Sequence, residues 1–341
     1  MKIDEIKELI KTKEYDFLRT NEHLKDKVIL LGLGGSHAYG TATETSDLDI
    51  RGCALNSIED ILYTTNFDQF VDNETDTQIY SFNKLINLLC DCNPNTIEML
   101  GLKPEHYIYL NDIGRQMIDN RKMFISKLAI KSFSGYASDQ FYRLQNHVVH
   151  LRNNDDKQNH ILERIKNANE HFKDNYFEYD DDSINLYIDK AVNKEYDTEI
   201  FMDVNLKHYP LRDYKSMWNQ MRDIVKSYDV IGKRNGNAIS HNKLGKHMMH
   251  LIRLYLMCID ILEKEEIITC RENEHDMLMD IRNGNYLNDE GLPIDEFFEM
   301  VDSYKTRMKY AEEHTSLPKH PDYNKIKEFV MDVNKSIVVR G

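Results

Sequence analysis

One short segment constrains this chain more than any other: an apolar run at residues 28–33, followed directly by Gly34–Ser36. An apolar run that ends in Gly-Gly-Ser predicts a β-strand followed by a loop whose backbone can approach a phosphate group. Ten residues later, Asp47 and Asp49 flank a leucine. Residues two apart on a strand point to the same face, so both carboxylates are predicted to face one site. Two carboxylates beside a phosphate loop indicate a divalent metal that carries a triphosphate.

The hydrophobic periodicity predicts a small α/β unit followed by a larger helical one. From about residue 120 onward the apolar spacing is almost wholly helical, with a strong stretch from Lys243 to Glu263. The sequence therefore predicts an α+β fold, with a small mixed-sheet domain at residues 1–120 and a mainly helical domain at residues 121–341. Within the first domain, strands are predicted at residues 28–33, 47–54 and 76–80, and helices at residues 2–16 and after a cap at Ser81.

The composition limits the compartment and the kinds of partner. The net charge of −14 argues against a protein that coats nucleic acid regardless of sequence. The charge is uneven, because Lys207–Arg253 holds ten Lys and Arg against three Asp. That basic segment is either a solvated helical face or a surface that meets phosphates. An odd number of cysteines, five, predicts reduced thiols, and no apolar run is long enough to span a membrane. We expect a cytoplasmic protein without a membrane segment, and its oligomeric state stays open.

Several motifs, taken in chain order, resemble one enzyme superfamily. The run Gly34-Gly35-Ser36 followed by Asp47-Leu48-Asp49 is similar to the defining motif of the DNA polymerase β-like nucleotidyltransferases. The chain most resembles the nucleotidyltransferases predicted in bacteria and phages, some of which are linked to RNA repair. The resemblance covers most of the chain and is weakest over residues 150–205. It also includes the runs 35–43 and 46–52, Asp76, Tyr80, Lys84, Asn93–Glu98, Lys246, His250, Arg253–Leu254 and Leu317–Pro318.

The resemblance implies a two-metal site built from three carboxylates. Asp47 and Asp49 supply the first two ligands for Mg²⁺ or Mn²⁺, which prefer oxygen donors. The third carboxylate of the superfamily lies on a neighbouring strand. Asp76 is predicted to fill this role, because it begins an alternating run just before a capped helix. Asp72 and Glu74 share its parity along the chain and remain alternatives.

The predicted nucleotide-binding residues form two groups. In the first, glycines let backbone N–H groups approach phosphate oxygens and a serine adds a hydroxyl at the start of a helix. The second group, Lys246, His250 and Arg253, lies at positions i, i+4 and i+7 and so shares one helix face. This face either closes over the bound nucleotide or acceptor, or it is a polar face exposed to solvent. Arg51 either joins the site or ties down its loop by a salt bridge. The predicted set is Gly34, Gly35, Ser36, His37 (where close relatives carry a basic residue), Lys246, His250 and Arg253.

The resemblance implies attack of a hydroxyl on the α-phosphate of a nucleoside triphosphate, with release of pyrophosphate. The 20 tyrosines and the basic segment suit an RNA end, so the predicted acceptor is an RNA 3′ end of the tRNA type. Two alternatives stay open: nucleotidylation of a protein or small-molecule hydroxyl, and a non-catalytic module that binds nucleotide or RNA. Loss of a metal-binding aspartate would favour the module, and the presence of both Asp47 and Asp49 favours the enzyme.

Overall fold

The computed structural model describes residues 3–151, 184–190, 198–212, 214–215, 218, 222, 241–289 and 291–340. The chain divides by contact into two compact units. The first unit comprises residues 1–141, 245–286 and 294–341, and the second comprises residues 142–244 and 287–293. The functional boundary between residues 120 and 121 stays a prediction. Much of the predicted basic segment, including residues 223–240, lies outside the described residues.

A five-stranded mixed sheet belongs to the first unit. Its strands are β1 (Val28–Leu33), β2 (Ile50–Ala54), β3 (Gln69–Asp72), β4 (Thr77–Ser81) and β5 (Tyr107–Leu110). They lie in the order β3-β4-β2-β1-β5, with β2 parallel to β4 and every other pair antiparallel. β1 is the predicted apolar run, and it is buried apart from its first residue. The α+β fold with a mixed sheet near the N-terminus is thus confirmed.

The register of the sheet places the candidate site at the starting edge of two strands. Ile50 of β2 pairs with Thr77 of the parallel strand β4, so the residues just before them, Asp49 and Asp76, lie side by side. The Ile50 N–H donates to the Asp76 carbonyl oxygen at 3.2 Å. The Gly34 N–H, at the end of β1, donates to the Asp49 carbonyl oxygen at 2.8 Å and closes the same edge.

Helices account for most of the remaining described chain. In the first unit, Ser81 caps its helix by accepting from the Lys84 N–H at 3.3 Å, as predicted. No helix in the described part of the chain is long and apolar enough to cross a membrane. The α-helices are Ile3–Leu9, Phe17–Thr20, Gly35–Tyr39, Ile58–Leu62, Phe82–Cys90, Pro94–Ile97, Asp112–Asp119, Leu128–Leu151, His241–Lys264, His275–Arg282, Asp295–His314 and Tyr323–Arg340.

Some predicted elements differ from those observed. The N-terminal helix ends at Leu9 instead of residue 16, and β2 begins at Ile50 instead of residue 47. The second unit contains an antiparallel pair, β6 (Ile184–Lys190) and β7 (Thr198–Val204), in a region predicted to be helical. The sequence of β6 begins Ile-Asn-Leu-Tyr-Ile and alternates with the period of two that is typical of a strand. The prediction of helix in this segment was therefore wrong. Strands β3 and β5 were also absent from the prediction.

Candidate active site

The loop at the end of β1 lies against an aspartate. Gly35 adopts a φ of +52°, and a Cβ atom at this position would collide with the Asp49 carboxylate. Glycine is therefore required at position 35 both for the backbone conformation and for the close approach of this side chain. The short helix Gly35–Tyr39 follows directly, with Ser36 in its first turn. The predicted phosphate loop and the second predicted metal-binding aspartate are thus in contact.

Asp49 has a partly buried carboxyl group with a raised pKa. Its side chain is 20% exposed, and its Oδ1 atom lies 3.1 Å from Arg51 Nη2. Burial, opposed by the charge of Arg51, is the main cause that raises the pKa of Asp49 to about 6; the neighbouring Asp76 carboxyl also raises it and the charge of Lys246 lowers it. A partly desolvated carboxylate beside a second carboxyl gains stability from a nearby cation.

Asp76 is the second carboxylate of this pair. It lies in the turn before β4, with a φ of +45°, and its side chain is 58% exposed. Its Oδ1 atom is 3.2 Å from Arg51 Nη2, the same nitrogen that contacts Asp49. Asp72 is used differently, because its Oδ2 atom accepts from the Thr75 hydroxyl at 2.7 Å within the β3–β4 turn. The structure therefore brings Asp76 to Asp49, whereas Asp72 stabilises the turn; the third-carboxylate role of Asp76 stays a prediction.

Asp47 lies in the exposed loop that precedes β2. A residue distant in sequence, Arg282 at the end of the helix His275–Arg282, stabilises this loop. Its buried guanidinium donates to the Thr41 carbonyl oxygen and, at 3.2 Å, to Ser46 Oγ. Sequence reasoning missed Arg282, since nothing in its local pattern links it to a loop 236 residues away. Asp47 and Asp49 both precede β2 instead of lying on it. Asp49 lines a polar cavity, and Asp47 does not.

A polar cavity of about 280 Å³ opens beside Asp49. Four of the predicted nucleotide-binding residues line it, two from the loop and two from the helix His241–Lys264. Gly34, His37 and Arg253 do not contribute to its lining. The lining residues are Gly35, Ser36, Tyr39, Asp49, Arg51, Gln78, Asn95, Glu98, Lys246 and His250.

The predicted helix face divides into an accessible part and a buried part. Lys246 is exposed, whereas His250 is largely enclosed. Burial and the nearby cations Arg253 and Lys246 lower the pKa of His250 well below its usual range, so its imidazole is neutral at pH 7. The opposite side of the helix, including Met248 and Leu251, is in the core.

Arg253 is already engaged within the protein. Its side chain is 6% exposed, and its Nη1 atom donates to Glu98 Oε2 at 3.0 Å. The guanidinium also stacks 3.7 Å from the centre of the Tyr39 ring, and the Tyr39 hydroxyl lies 3.1 Å from both Glu98 carboxylate oxygens. Tyr39 and Glu98 line the cavity, and Arg253 contacts both of them without lining it. Tyr39 and Glu98 stood in the motif runs, but their spacing alone assigned them no role.

The chemistry of Asp49 and Asp76 fits a divalent cation. Both offer hard carboxylate oxygens from adjacent strand starts, and a cation would offset the unfavourable burial of Asp49. Across the residues described, no group of three or more His, Cys, Asp or Glu side chains is arranged as a set of metal ligands. The pair therefore fits the implied metal, and of the three predicted carboxylates Asp49 is the one that lines the cavity.

The raised pKa of Asp49 predicts a specific pH dependence of stability. The folded state holds this proton up to about pH 6, whereas an unfolded aspartate loses it near pH 4. Unfolding free energy should therefore fall as pH rises from about 4 to about 6, and then level off. Because Asp49 is partly exposed, we expect about 1 kcal/mol across this window. Urea titrations in EDTA, with Asp49→Asn as the reference, measure this; a wild-type-minus-variant difference that stays constant with pH contradicts it.

The fold and this site define a class of protein. A mixed sheet whose first strand leads through a Gly-Ser loop to paired carboxylates is the arrangement expected of polymerase β-like nucleotidyltransferases. The chain belongs to the RlaP family, described as the RNA repair pathway DNA polymerase beta family, whose model matches residues 5–332. Family membership supports a nucleotidyltransferase-type role in RNA repair.

A phage protein also shows local similarity to this chain. The "uncharacterized 38.9 kDa protein in nrdC-mobD intergenic region" of Enterobacteria phage T4 is 28% identical over 127 residues. The match spans 33% of this chain and 38% of the phage protein. No solved structure matches this chain.

Proposed function

We propose that this protein transfers a nucleoside monophosphate from a nucleoside triphosphate to the hydroxyl of an RNA 3′ end, with release of pyrophosphate. The observation that supports this most is the contact of Asp49 with Gly35 in the lining of a cavity that Ser36 and Lys246 also line. The family description supports RNA repair as the setting. The tRNA-like acceptor and the cytoplasmic location remain parts of this proposal.

The side chains of the cavity suit the charges of this reaction. The Gly35 and Ser36 backbone and the Ser36 hydroxyl would bind phosphate oxygens, and the Lys246 ammonium would offset their negative charge. The neutral His250 imidazole can orient a polar group of the substrate without adding charge. Asp49 and Asp76, with Asp47 from its loop, would hold Mg²⁺ or Mn²⁺, which when bound polarises the α-phosphate and stabilises pyrophosphate as it leaves.

The transfer step is a single displacement at phosphorus. The acceptor oxygen forms a bond to the α-phosphorus while the bond from that phosphorus to the bridging oxygen of pyrophosphate breaks. The hydroxyl proton passes to the Asp76 carboxylate, which is exposed enough to release it to water. Pyrophosphate leaves with the electron pair of the broken bond.

The direct test is a transfer assay with each α-labelled nucleoside triphosphate, Mg²⁺ and total tRNA. Label on RNA that depends on Asp49 supports the proposal and identifies the preferred base. Label on the protein, or on a small alcohol offered in place of tRNA, overturns the RNA acceptor and retains the reaction class. Absence of transfer to any acceptor, together with nucleotide binding, would favour the non-catalytic module.

Lys246→Ala should raise the apparent KM for the nucleoside triphosphate about tenfold with little change in kcat, because a charged hydrogen bond to phosphate is removed. Lys327→Ala is the matched control, since Lys327 is an exposed lysine on the helix Tyr323–Arg340 and does not line the cavity. Steady-state kinetics at saturating acceptor measure both. An unchanged KM would assign Lys246 to the solvated surface.

A further inference from the structure

Arg51 is bound between the two carboxylates of the candidate metal site. Its Nη2 atom lies 3.1 Å from Asp49 Oδ1 and 3.2 Å from Asp76 Oδ1. Its Nη1 atom donates to the carbonyl oxygens of Ile50, at 3.0 Å, and Asp76, at 2.6 Å. The side chain is 22% exposed and lines the cavity together with Asp49. A single guanidinium thus pairs with both carboxylates.

This arrangement places Arg51 in competition with a metal ion. A divalent cation coordinates carboxylate oxygens directly, and the Oδ1 atoms of Asp49 and Asp76 both contact Nη2 instead. The guanidinium and the metal would also place positive charge in the same small volume, where they repel each other. The salt bridge predicted as one alternative for Arg51 is therefore present, and its partners are the proposed metal ligands themselves.

We propose that Arg51 is a positioning residue that acts as an internal counter-ion: it holds Asp49 and Asp76 together without metal, and a divalent cation has to displace it to bind. This inference rests on the proposed metal-dependent function. Removal of a residue with a purely structural role would weaken the site or leave its affinity unchanged. Removal of a competing cation makes metal binding tighter.

The test is a titration of the full-length protein with Mn²⁺ alone, in which the electron paramagnetic resonance signal measures the concentration of free Mn²⁺. Arg51→Ala should lower the Mn²⁺ Kd about fivefold, the factor that corresponds to an ion pair of about 1 kcal/mol. Arg307→Ala is the matched control. Arg307 Nη2 lies 2.6 Å from Glu263 Oε2, and neither residue lines the cavity, so the substitution should leave the Kd unchanged. A Kd for Arg51→Ala that is equal to or weaker than that of the wild type overturns the inference.

A second readout covers the case in which Arg51→Ala folds poorly. Arg51→Lys keeps the charge but loses the planar fork that contacts both carboxylates. Both variants should have a lower Tm than the wild type in EDTA, since Arg51→Ala removes the counter-ion of two close carboxylates and Arg51→Lys removes the fork that contacts both of them. Mn²⁺ should raise the Tm of both variants more than it raises that of the wild type. An equal rise in all three proteins contradicts the competition.

Asp49→Asn separates this inference from the proposed function. If the wild type binds Mn²⁺ and Asp49→Asn does not, the metal-dependent function stands, and the Arg51 variants alone decide the role of Arg51. If neither the wild type nor Arg51→Ala binds Mn²⁺ in an Asp49-dependent way, the inference and the metal-dependent function fail together.

Discussion

Asp49→Asn should lower kcat for nucleotidyl transfer by about 10³-fold or more, because it removes the central carboxylate of the proposed metal site. Asp49 is the one predicted metal-binding residue whose side chain lines the cavity in the described chain. Its carboxylate also contacts the predicted phosphate loop through Gly35. An amide has no negative charge with which to hold the cation against phosphate, so the loss should appear in kcat at saturating nucleotide.

The same substitution should leave the protein folded. The raised pKa of Asp49 means that its charge is unfavourable in the native state, so an uncharged amide avoids that cost at pH 7. We expect an unfolding free energy equal to or slightly above that of the wild type. Urea unfolding and the labelled-triphosphate assay on the same preparation measure both effects.

Three further aspartate variants complete this experiment. Asp76→Asn should reduce transfer strongly, whereas Asp72→Asn should retain it, because Asp72 is engaged with Thr75 in the β3–β4 turn. The double variant Asp47→Asn/Asp49→Asn should be inactive. Full activity of Asp49→Asn would exclude the metal site, and loss of activity in Asp72→Asn alone would transfer the third-carboxylate role to Asp72.

Arg253→Ala should destabilise the protein by about 3–5 kcal/mol, because it leaves the Glu98 carboxylate buried without its cation. Glu98 is 8% exposed at its side chain, and its remaining partner at the carboxylate is the Tyr39 hydroxyl. The substitution also removes the guanidinium that stacks on the Tyr39 ring. Arg307→Ala, which breaks a more exposed pair with Glu263, should cost less than about 1 kcal/mol.

Urea unfolding gives both values, and a double variant identifies the cause. Arg253→Met/Glu98→Gln removes both charges together and should recover most of the stability lost in Arg253→Ala, since no uncompensated charge stays buried. Unchanged stability of Arg253→Ala with a raised KM for the nucleoside triphosphate would instead support the direct nucleotide-binding role predicted from the sequence. Equal losses in the single and double variants would assign the effect to packing.

The strand β1 and the glycine loop were predictable because each depends on residues close in sequence. A continuous apolar run specifies a buried strand, and Gly35 is required by a local backbone conformation and a nearby side chain. The cap at Ser81 follows from the same local logic. The family resemblance also predicted the α+β fold class, because the motifs and their order can be identified from the sequence alone.

The cavity wall and the state of its charged groups were decided by tertiary structure alone. Glu98 meets Arg253 across 155 residues, and Arg282 reaches the loop before Asp47 from more than 230 residues away. The i, i+4, i+7 spacing placed Lys246, His250 and Arg253 on one helix face, but it could not show that the last of them is buried against a carboxylate. Burial and ion pairing depend on which distant segments pack together, so a local pattern can propose charged residues for a site, and only the packed chain determines which of them remain free to meet a substrate.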